Sequence, residues 1–378
     1  MLIGIEASRA NRPVKTGVEW YAWHVIQGMK ALPEAAKHEW LLYTNDALTS
    51  GLETGPENWK EKRLTWPPKY LWTQARLTWE MMRHAPDVLF VPAHILPRIS
   101  PKKSVVTVHD VGFKRFPEAY KKIQVAYHDI STRDIVERGA RIITVSEFCK
   151  REIVELYGAD PDKIFVTPLG IDHQRFRPQS AERRAQSAEK YGIRGPYVLF
   201  VGRIDKKKNL VTLVKAFEQI AETQPDLELV LAGTFSGPAG LSTTGADELR
   251  NVIRNSAFVD RIEMLGYLDE AEKPALLSGA SAYVQPSIYE GFGLPPLEAM
   301  ACGTPAVCAD STCLPEVVGE GNALFFDPLD ADALASSLTQ LFSSRELRES
   351  LVAKGLERAK QYDWRRTAAE TLKILETW

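Results

Sequence analysis

Ser287-Ile288-Tyr289-Glu290-Gly291-Phe292-Gly293-Leu294-Pro295-Pro296-Leu297-Glu298-Ala299-Met300-Ala301-Cys302-Gly303-Thr304-Pro305 is the stretch on which the reading of this 378-residue chain turns. Two acids stand eight positions apart across a turn rich in Gly and Pro. An apolar run at 281–285 precedes it and reads as a buried strand, and a short helical pattern opened by Leu297 follows. Gly291 and Gly293 can adopt backbone angles closed to other residues and leave amides uncovered. Such a loop can aim N–H donors, backed by the helix dipole, at an anion or at sugar oxygens, and the acids can accept from hydroxyls. Taken alone, it also fits a solvated turn with Glu298 as an acid of the first helical turn.

Outward from this stretch, strands alternate with helices. Apolar strand-like runs lie at 197–201, 227–232, 262–265, 282–285, 306–309 and 323–326. Helical patterns lie at 211–222, 246–255 and 271–279, and a long one starts at Asp330. The loop 235–245, with Gly237, Gly240 and Gly245 among Ser and Thr, is expected to be mobile. The first half repeats the theme, with strands at 2–7, 39–44, 88–92, 104–109, 141–145 and 164–168 and helices at 18–32, 122–138 and 147–157. Alternation of this kind predicts an α/β chain with parallel sheets, helices on both faces and ligands at the carboxyl ends of the strands. His109 and Ser146 fall at such ends. The polar segment 172–194, around a helix at 181–191, reads as a crossover. The expected domains are 1–174 together with a returning amphipathic helix at 363–378, and 175–362.

The bulk numbers agree with two domains, since one core rarely serves so long a chain. The composition is 44% hydrophobic and 25% charged, ordinary for a globular protein. No stretch of about 18 apolar residues predicts a membrane span. Met1-Leu2-Ile3-Gly4-Ile5-Glu6 lacks the basic start of a secretory signal, so a cytoplasmic location is expected. Cys149, Cys302, Cys308 and Cys313 have no metal-ligand spacing and read as reduced thiols. Residues 1–178 hold 26 Lys and Arg against 21 Asp and Glu, and residues 179–378 hold 21 against 28. That asymmetry is too weak for a nucleic-acid protein, yet it favours an anionic surface or substrate on the first half.

Seven of the nine tryptophans lie in the first 79 residues. From 59 to 84 they mix with cations: Lys60, Lys62, Arg63, Trp66, Lys69, Tyr70, Trp72, Arg76, Trp79 and Arg83. Trp72, Arg76, Trp79 and Arg83 share one side of a helix. That side suits either a membrane interface or a core in which Arg stems lie over Trp faces.

The order of motifs resembles the retaining glycosyltransferases of family four. The second half carries Gly202-Arg203 with Lys208 five positions on, then Glu290 and Glu298 flanking Gly291-Phe292-Gly293-Leu294. The first half lacks a nucleotide fingerprint but carries Ile142-Ile143-Thr144-Val145-Ser146-Glu147-Phe148 and Val166-Thr167-Pro168-Leu169-Gly170-Ile171-Asp172, similar to that family's first domain. Val108-His109-Asp110-Val111 with Arg115-Phe116-Pro117-Glu118 resembles its mannosyltransferase-type members, and Tyr362-Asp363-Trp364 its closing helix. The resemblance covers nearly the whole chain. It implies the GT-B architecture: two Rossmann-like domains facing each other across a cleft, with the C-terminal helix crossing back to the first.

It further implies transfer of a hexose from a nucleotide diphosphate sugar to a hydroxyl of a glycan or lipid-linked glycan, with retention. GDP-mannose is the first donor expected, with a UDP-sugar such as UDP-glucose next. The departing diphosphate must be neutralised; Arg203 offers a planar fork and Lys208 a point charge. The resemblance places Glu290 and His109 against the donor sugar, Glu298 on the ribose, and the amides of Gly291, Phe292, Gly293 and Leu294 on sugar and phosphate oxygens. Gly202, Tyr267 and Leu268 join the donor site. Gly17 matches one glycine of the family's N-terminal pair, while Thr16 replaces the other, leaving close backbone approach there unsettled. Asp160-Pro161-Asp162 and Asp330-Ala331-Asp332 read as turn or helix-start acids. No metal and no cofactor beyond the donor are expected. A nucleotide-sugar 2-epimerase and a non-catalytic sugar-binding protein are the alternatives. The acceptor side implies peripheral membrane contact at the inner face and no nucleic-acid partner.

Overall fold

The computed structural model describes residues 1–67, 71–235 and 245–378. Lys69, Tyr70 and most of the loop expected to be mobile, including Gly237 and Gly240, lie outside the described residues. The chain divides into two compact units. Unit 1 comprises Met1–Arg115, Tyr120–Gly170 and Asp363–Trp378; unit 2 comprises Phe116–Ala119 and Ile171–Tyr362.

Unit 1 holds seven strands, all paired in parallel: β1 (Leu2–Glu6), β2 (Glu39–Thr44), β3 (Trp59–Arg63), β4 (Val88–Val91), β5 (Ser104–Thr107), β6 (Arg141–Thr144) and β7 (Ile164–Val166). Their order is β3-β2-β1-β4-β5-β6-β7. Successive strands step outward from β1 in one direction and then from β4 in the other, so the order reverses between β1 and β4. Ligands of open α/β sheets bind at such a reversal, beyond the carboxyl ends of the strands. β4 and β5 are buried along their whole length, as strands covered on both faces must be.

β3 is a strand the sequence pattern hides. Trp-Lys-Glu-Lys-Arg lacks both an apolar run and alternation, because it lies at the sheet edge with most of its length exposed. Trp59 fixes it there: it pairs in register with Trp40, and the two rings stack at 4.2 Å and 4°. Contacts of this kind add about 0.5–1.5 kcal/mol beyond their area.

The last helix, Trp364–Glu376, packs on helix Gly17–Lys30 of unit 1, in line with the expected return to the first domain. Glycines let the backbones approach. A Cβ on Gly170 would lie 2.1 Å from the Trp364 nitrogen, and one on Gly28 2.6 Å from the Ala368 methyl. His24 stacks on Trp364 at 4.6 Å, and the Arg141 guanidinium donates to the Ile374 carbonyl at 2.9 Å. Removing Trp364 would expose this seam.

The basic aromatic stretch divides between core and surface. Trp72 is buried, its indole N–H donating to the Leu64 carbonyl at 2.8 Å. Trp79 is 46% exposed, with Arg76 at 4.9 Å and Arg83 at 4.3 Å over its ring. Much of the surrounding charge converges on buried Glu80, which Lys62, Arg76 and His84 approach within 3.7, 3.3 and 3.3 Å.

Unit 2 holds six parallel strands, β8 (Tyr197–Val201), β9 (Glu228–Ala232), β10 (Ile262–Gly266), β11 (Ala282–Gln285), β12 (Ala306–Ala309) and β13 (Leu324–Phe326). Their order, β10-β9-β8-β11-β12-β13, reverses between β8 and β11. The sheet is clothed on both faces, and Phe200, Phe217, Leu231, Val284, Val307 and Leu338 are fully buried in its core. Two expectations shift. The long helix from Asp330 is two, Ala331–Ser343 and Arg345–Ala359, because Ser344 takes an extended conformation and caps the second. The helix expected to open at Leu297 starts at Leu294, with Gly293 as its cap at φ 86°, so Glu298 lies beyond the first turn.

Candidate functional site

At the strand reversal of unit 2, the segments after β8 and β11 meet. Lys206–Lys208 forms one tight turn after β8. A run of three lysines ordinarily reads as a solvated face, but the turn separates them. Lys206 is exposed, Lys207 is buried with its carbonyl accepting from the Ile288 N–H at 2.9 Å, and Lys208 reaches Glu290 at 2.5 Å. Asn209 sets this geometry. It takes the left-handed conformation at φ 54°, which Asn tolerates, and its amide donates to the carbonyls of Pro286 at 3.2 Å and Pro328 at 2.6 Å. One side chain thereby ties together the loops after β8, β11 and β13.

Glu290 is held on one side. Its Oε1 accepts from Lys208 Nζ, from Gln285 Nε2 at 2.8 Å and from Ser287 Oγ at 2.8 Å. The Tyr283 hydroxyl donates to Gln285 Oε1, which fixes the amide orientation and aims its N–H groups at Ser287 and Glu290. Three donors meet one oxygen, and Oε2 is without a protein donor among the described residues. Arg203 sits on the same segment as Lys208, forked onto buried Asp205 at 2.9 and 2.7 Å while 45% of its side chain remains exposed.

Glu298 is not brought to the same partners. It is buried and pairs with Lys273 at 2.5 Å, a cation the sequence reading did not single out. The amide cradle is also sparser than expected. With the helix beginning at Leu294, Pro295 and Pro296 occupy its next two positions and carry no N–H, so Gly293 and Leu294 supply the first donors. Phe292 is buried edge-to-face against Tyr362 at 5.6 Å. Tyr267 is 68% exposed and Leu268 buried, beyond β10. Gly202 matters by proximity: a Cβ on Gly233 would fall 1.7 Å from the Gly202 carbonyl oxygen, so the β9 end must be glycine for the β8 loop to pass.

His109 and Gly17 belong to unit 1. His109 follows β5, its ring edge-on to Tyr21 at 4.7 Å and its Nε2 3.4 Å from the Pro92 carbonyl. Burial holds its pKa below the ordinary imidazole value, against the opposing pull of the Pro92 carbonyl and Asp110. Nearby His94 is pushed down to about 3 by burial and by His128. These rings are neutral at pH 7. Gly17 opens helix Gly17–Lys30 behind a capping box, in which Glu19 accepts from Thr16 and receives Arg9 at 3.4 Å and Arg12 at 3.2 Å. A Cβ on Gly17 would meet nothing within 4 Å. Glu6, at the end of β1, is buried and accepts from the Ser8 N–H at 3.0 Å; burial raises its pKa.

Asp160 and Asp330 each cap the turn or helix that follows, at Asp162 N and Ala333 N. Among the described residues no group of three or more His, Cys, Asp or Glu could hold a metal ion. All four cysteines are buried and none forms a disulfide. No described helix is long and apolar enough to cross a membrane.

The sequence reading missed Asp205, Asn209, Gly233, Lys273, Gln285 and Ser287. Asn209, after a short basic turn and before an apolar helix, carried a readable left-handed signal; Gly233 and Lys273 act through contacts distant along the chain, and Asp205, Gln285 and Ser287 on residues two to five positions away.

Residues 183–358 match the family model described as glycosyl transferases group 1, and residues 16–175 that of glycosyltransferase family 4. The O-antigen chain mannosyltransferase B of Escherichia coli is 32% identical over 299 residues, 79% of this chain and 76% of that protein. A phosphatidyl-myo-inositol mannosyltransferase of Mycolicibacterium smegmatis is 31% identical over 62% of this chain and 56% of that protein. In fold, the chain is similar to sucrose-phosphate synthase from Thermosynechococcus elongatus, with TM-score 0.78, 22% identity and 100% and 98% of the two chains covered. It is also similar to Anabaena HepE in complex with UDP and glucose, with TM-score 0.73, 18% identity and 100% and 99% covered. With two parallel Rossmann-like sheets and family matches across both halves, the chain belongs to glycosyltransferase family four and is a hexosyltransferase.

Proposed function

We propose that the enzyme moves mannose from GDP-mannose to a hydroxyl of a glycan or lipid-linked glycan, with retention at the anomeric carbon and without a metal. The observation that carries this reading is the Lys208–Glu290 pair at the strand reversal of unit 2, with Glu290 Oε2 left without a donor among the described residues. A sugar hydroxyl can donate to that oxygen. Lys208 and Arg203 are the cations for the departing diphosphate, and Arg203 leaves Asp205 to take it. An acid whose Oε1 already carries three donors is a poor nucleophile, which favours front-face attack by the acceptor with the leaving phosphate accepting its proton. His109, neutral at pH 7, can hydrogen-bond the sugar as donor or acceptor. Glu298 takes the ribose hydroxyls, and Gly202, Tyr267, Leu268 and the 291–294 amides complete the donor site of unit 2, while Gly17 serves in unit 1.

Mannose is favoured by the similarity to the Escherichia coli mannosyltransferase, while the UDP and glucose in the Anabaena complex make UDP-glucose the second donor. Thermal-shift and turnover screens against GDP- and UDP-sugars, with and without chelator, test the proposal. GDP-mannose is expected to stabilise the protein and to release GDP in EDTA. Activity only with added divalent metal removes the metal-free mechanism, and epimerised donor without acceptor makes it an epimerase.

One observation favours peripheral membrane contact. Leu71, Trp79 and Met82 are exposed on the stretch that carries Arg83. Aromatic and basic groups together suit a headgroup layer. Trp79→Ala with Met82→Ser is expected to reduce sedimentation with vesicles of anionic phospholipid several-fold, and unchanged sedimentation removes the contact.

A further inference from the structure

Four described non-glycine residues have positive φ: Ser50, Leu71, Asn209 and Thr312. Thr312, at φ 53°, is the β-branched one, the side-chain type least suited to that region. Non-glycine residues are held there at a cost that surrounding contacts must offset.

Those contacts come from three consecutive residues after β12. The Ser311 hydroxyl donates to the Ser287 carbonyl at 2.7 Å. The Thr312 hydroxyl accepts from the Glu290 backbone N–H at 3.2 Å. The Cys313 thiol donates to the Glu290 carbonyl at 3.2 Å. Both polar groups of the Glu290 peptide backbone are therefore met by adjacent residues of a second loop. Glycine would enter the left-handed region without strain, so the turn alone does not call for threonine. What threonine adds is an oxygen at the Glu290 N–H.

We infer that Thr312 is a positioning residue, its hydroxyl holding the Glu290 backbone so that Oε2 faces the donor sugar, at the expense of local backbone strain. The inference rests on the reading of Glu290 as the sugar-holding acid. It predicts that turnover follows the hydroxyl while stability follows the strain, two properties that four residues at this position separate. Thr carries both hydroxyl and branching, Ser the hydroxyl alone, Val the branching alone and Gly neither.

The test compares wild type, Thr312→Ser, Thr312→Val and Thr312→Gly by release of nucleoside diphosphate from GDP-mannose and UDP-glucose and by thermal melting, with Glu290→Ala alongside. Thr312→Ser is expected within about threefold of wild-type kcat. Thr312→Val and Thr312→Gly are each expected to lose about tenfold or more, the scale of a misplaced catalytic group. Thr312→Gly should nonetheless melt above Thr312→Val, since it sheds the strain. Turnover that ranks with melting temperature across the four proteins overturns the inference, as does wild-type kcat in Thr312→Val. If Glu290→Ala is inactive while Thr312→Val is normal, only the role of Thr312 falls. If Glu290→Ala turns over normally, or wild type consumes neither donor, the underlying reading falls with it.

Discussion

The two sheets reverse strand order in the same way, at β1/β4 and at β8/β11, yet they end in different chemistry. Beyond β8 and β11, Lys208 and Arg203 stand on one loop, and Glu290, paired with Lys208, has one oxygen without a donor among the described residues. Beyond β1, β4 and β5, the charges close on each other. Arg9 and Arg12 both meet Glu19, and His94, His109 and His128 are kept neutral by burial. Cations held by partners a phosphate can displace suit a diphosphate. Neutral rings and closed ion pairs suit a hydroxyl compound. On the proposed reading, one sheet plan would serve two ligand classes through what is placed on its loops.

The largest expected effect lies on the first side of this contrast. Glu290→Ala or Lys208→Ala should lower turnover by about 10²–10³, the loss seen when a preorganised group at developing charge is removed. Arg9→Ala should lower it only a few-fold, because Arg12 still meets Glu19. Steady-state kinetics on GDP-mannose decide. A loss in Arg9→Ala as large as that in Lys208→Ala would erase the distinction between the crevices.

The next effect is a pH dependence confined to unit 1. His94, His109 and His128 have folded pKa values below 6.5, so the unfolded chain takes up their protons first as pH falls. Their contribution is fully present above the unfolded value and is lost on acidification, down to about pH 3 for His94, at up to about 1.4 kcal/mol per pH unit for each ring. Glu6 acts oppositely: with its folded pKa raised, its contribution is fully present below the unfolded carboxylate value and is lost as pH rises through the folded one. Hydrogen exchange of β4 and β5 should therefore accelerate between pH 7 and pH 5, after correction for intrinsic rates. His94→Gln should reduce the change. Equal acceleration in wild type and variant would mean that His94 is charged in the fold.

How much of this could be read from sequence follows the range of the forces. Apolar runs such as Val88–Val91 and Ala306–Ala309 exposed nearly every strand, since burial on both faces dictates local composition. β3 escaped because an edge strand has no such requirement and is held by one distant ring, Trp40. Arg203, Lys208 and Glu290 were visible as charges after strand ends, and Glu298 as an acid of the helix that follows. The pairing of Glu298 with Lys273, 25 positions earlier, was not, and neither was the support of Glu290 by Thr312 and Cys313 and of Ser287 by Ser311. The start at Leu294 could have been read, because proline favours the first helical turn and glycine the position before it.

The smallest effect separates glycines needed by the protein from one left open. A Cβ on Gly233 would overlap the Gly202 carbonyl oxygen at 1.7 Å, so Gly233→Ala must move backbone and should destabilise unit 2 by several kcal/mol. Gly17 faces open space at the start of a helix, and Gly17→Ala should change stability by less than about 0.5 kcal/mol. Any cost at Gly17 must then come from a ligand occupying that space, so the variant is expected to melt as wild type while a substrate KM rises a few-fold. If neither melting nor KM moves, Gly17 leaves the site, and the unit 1 crevice is entered nearer Glu6 and His109.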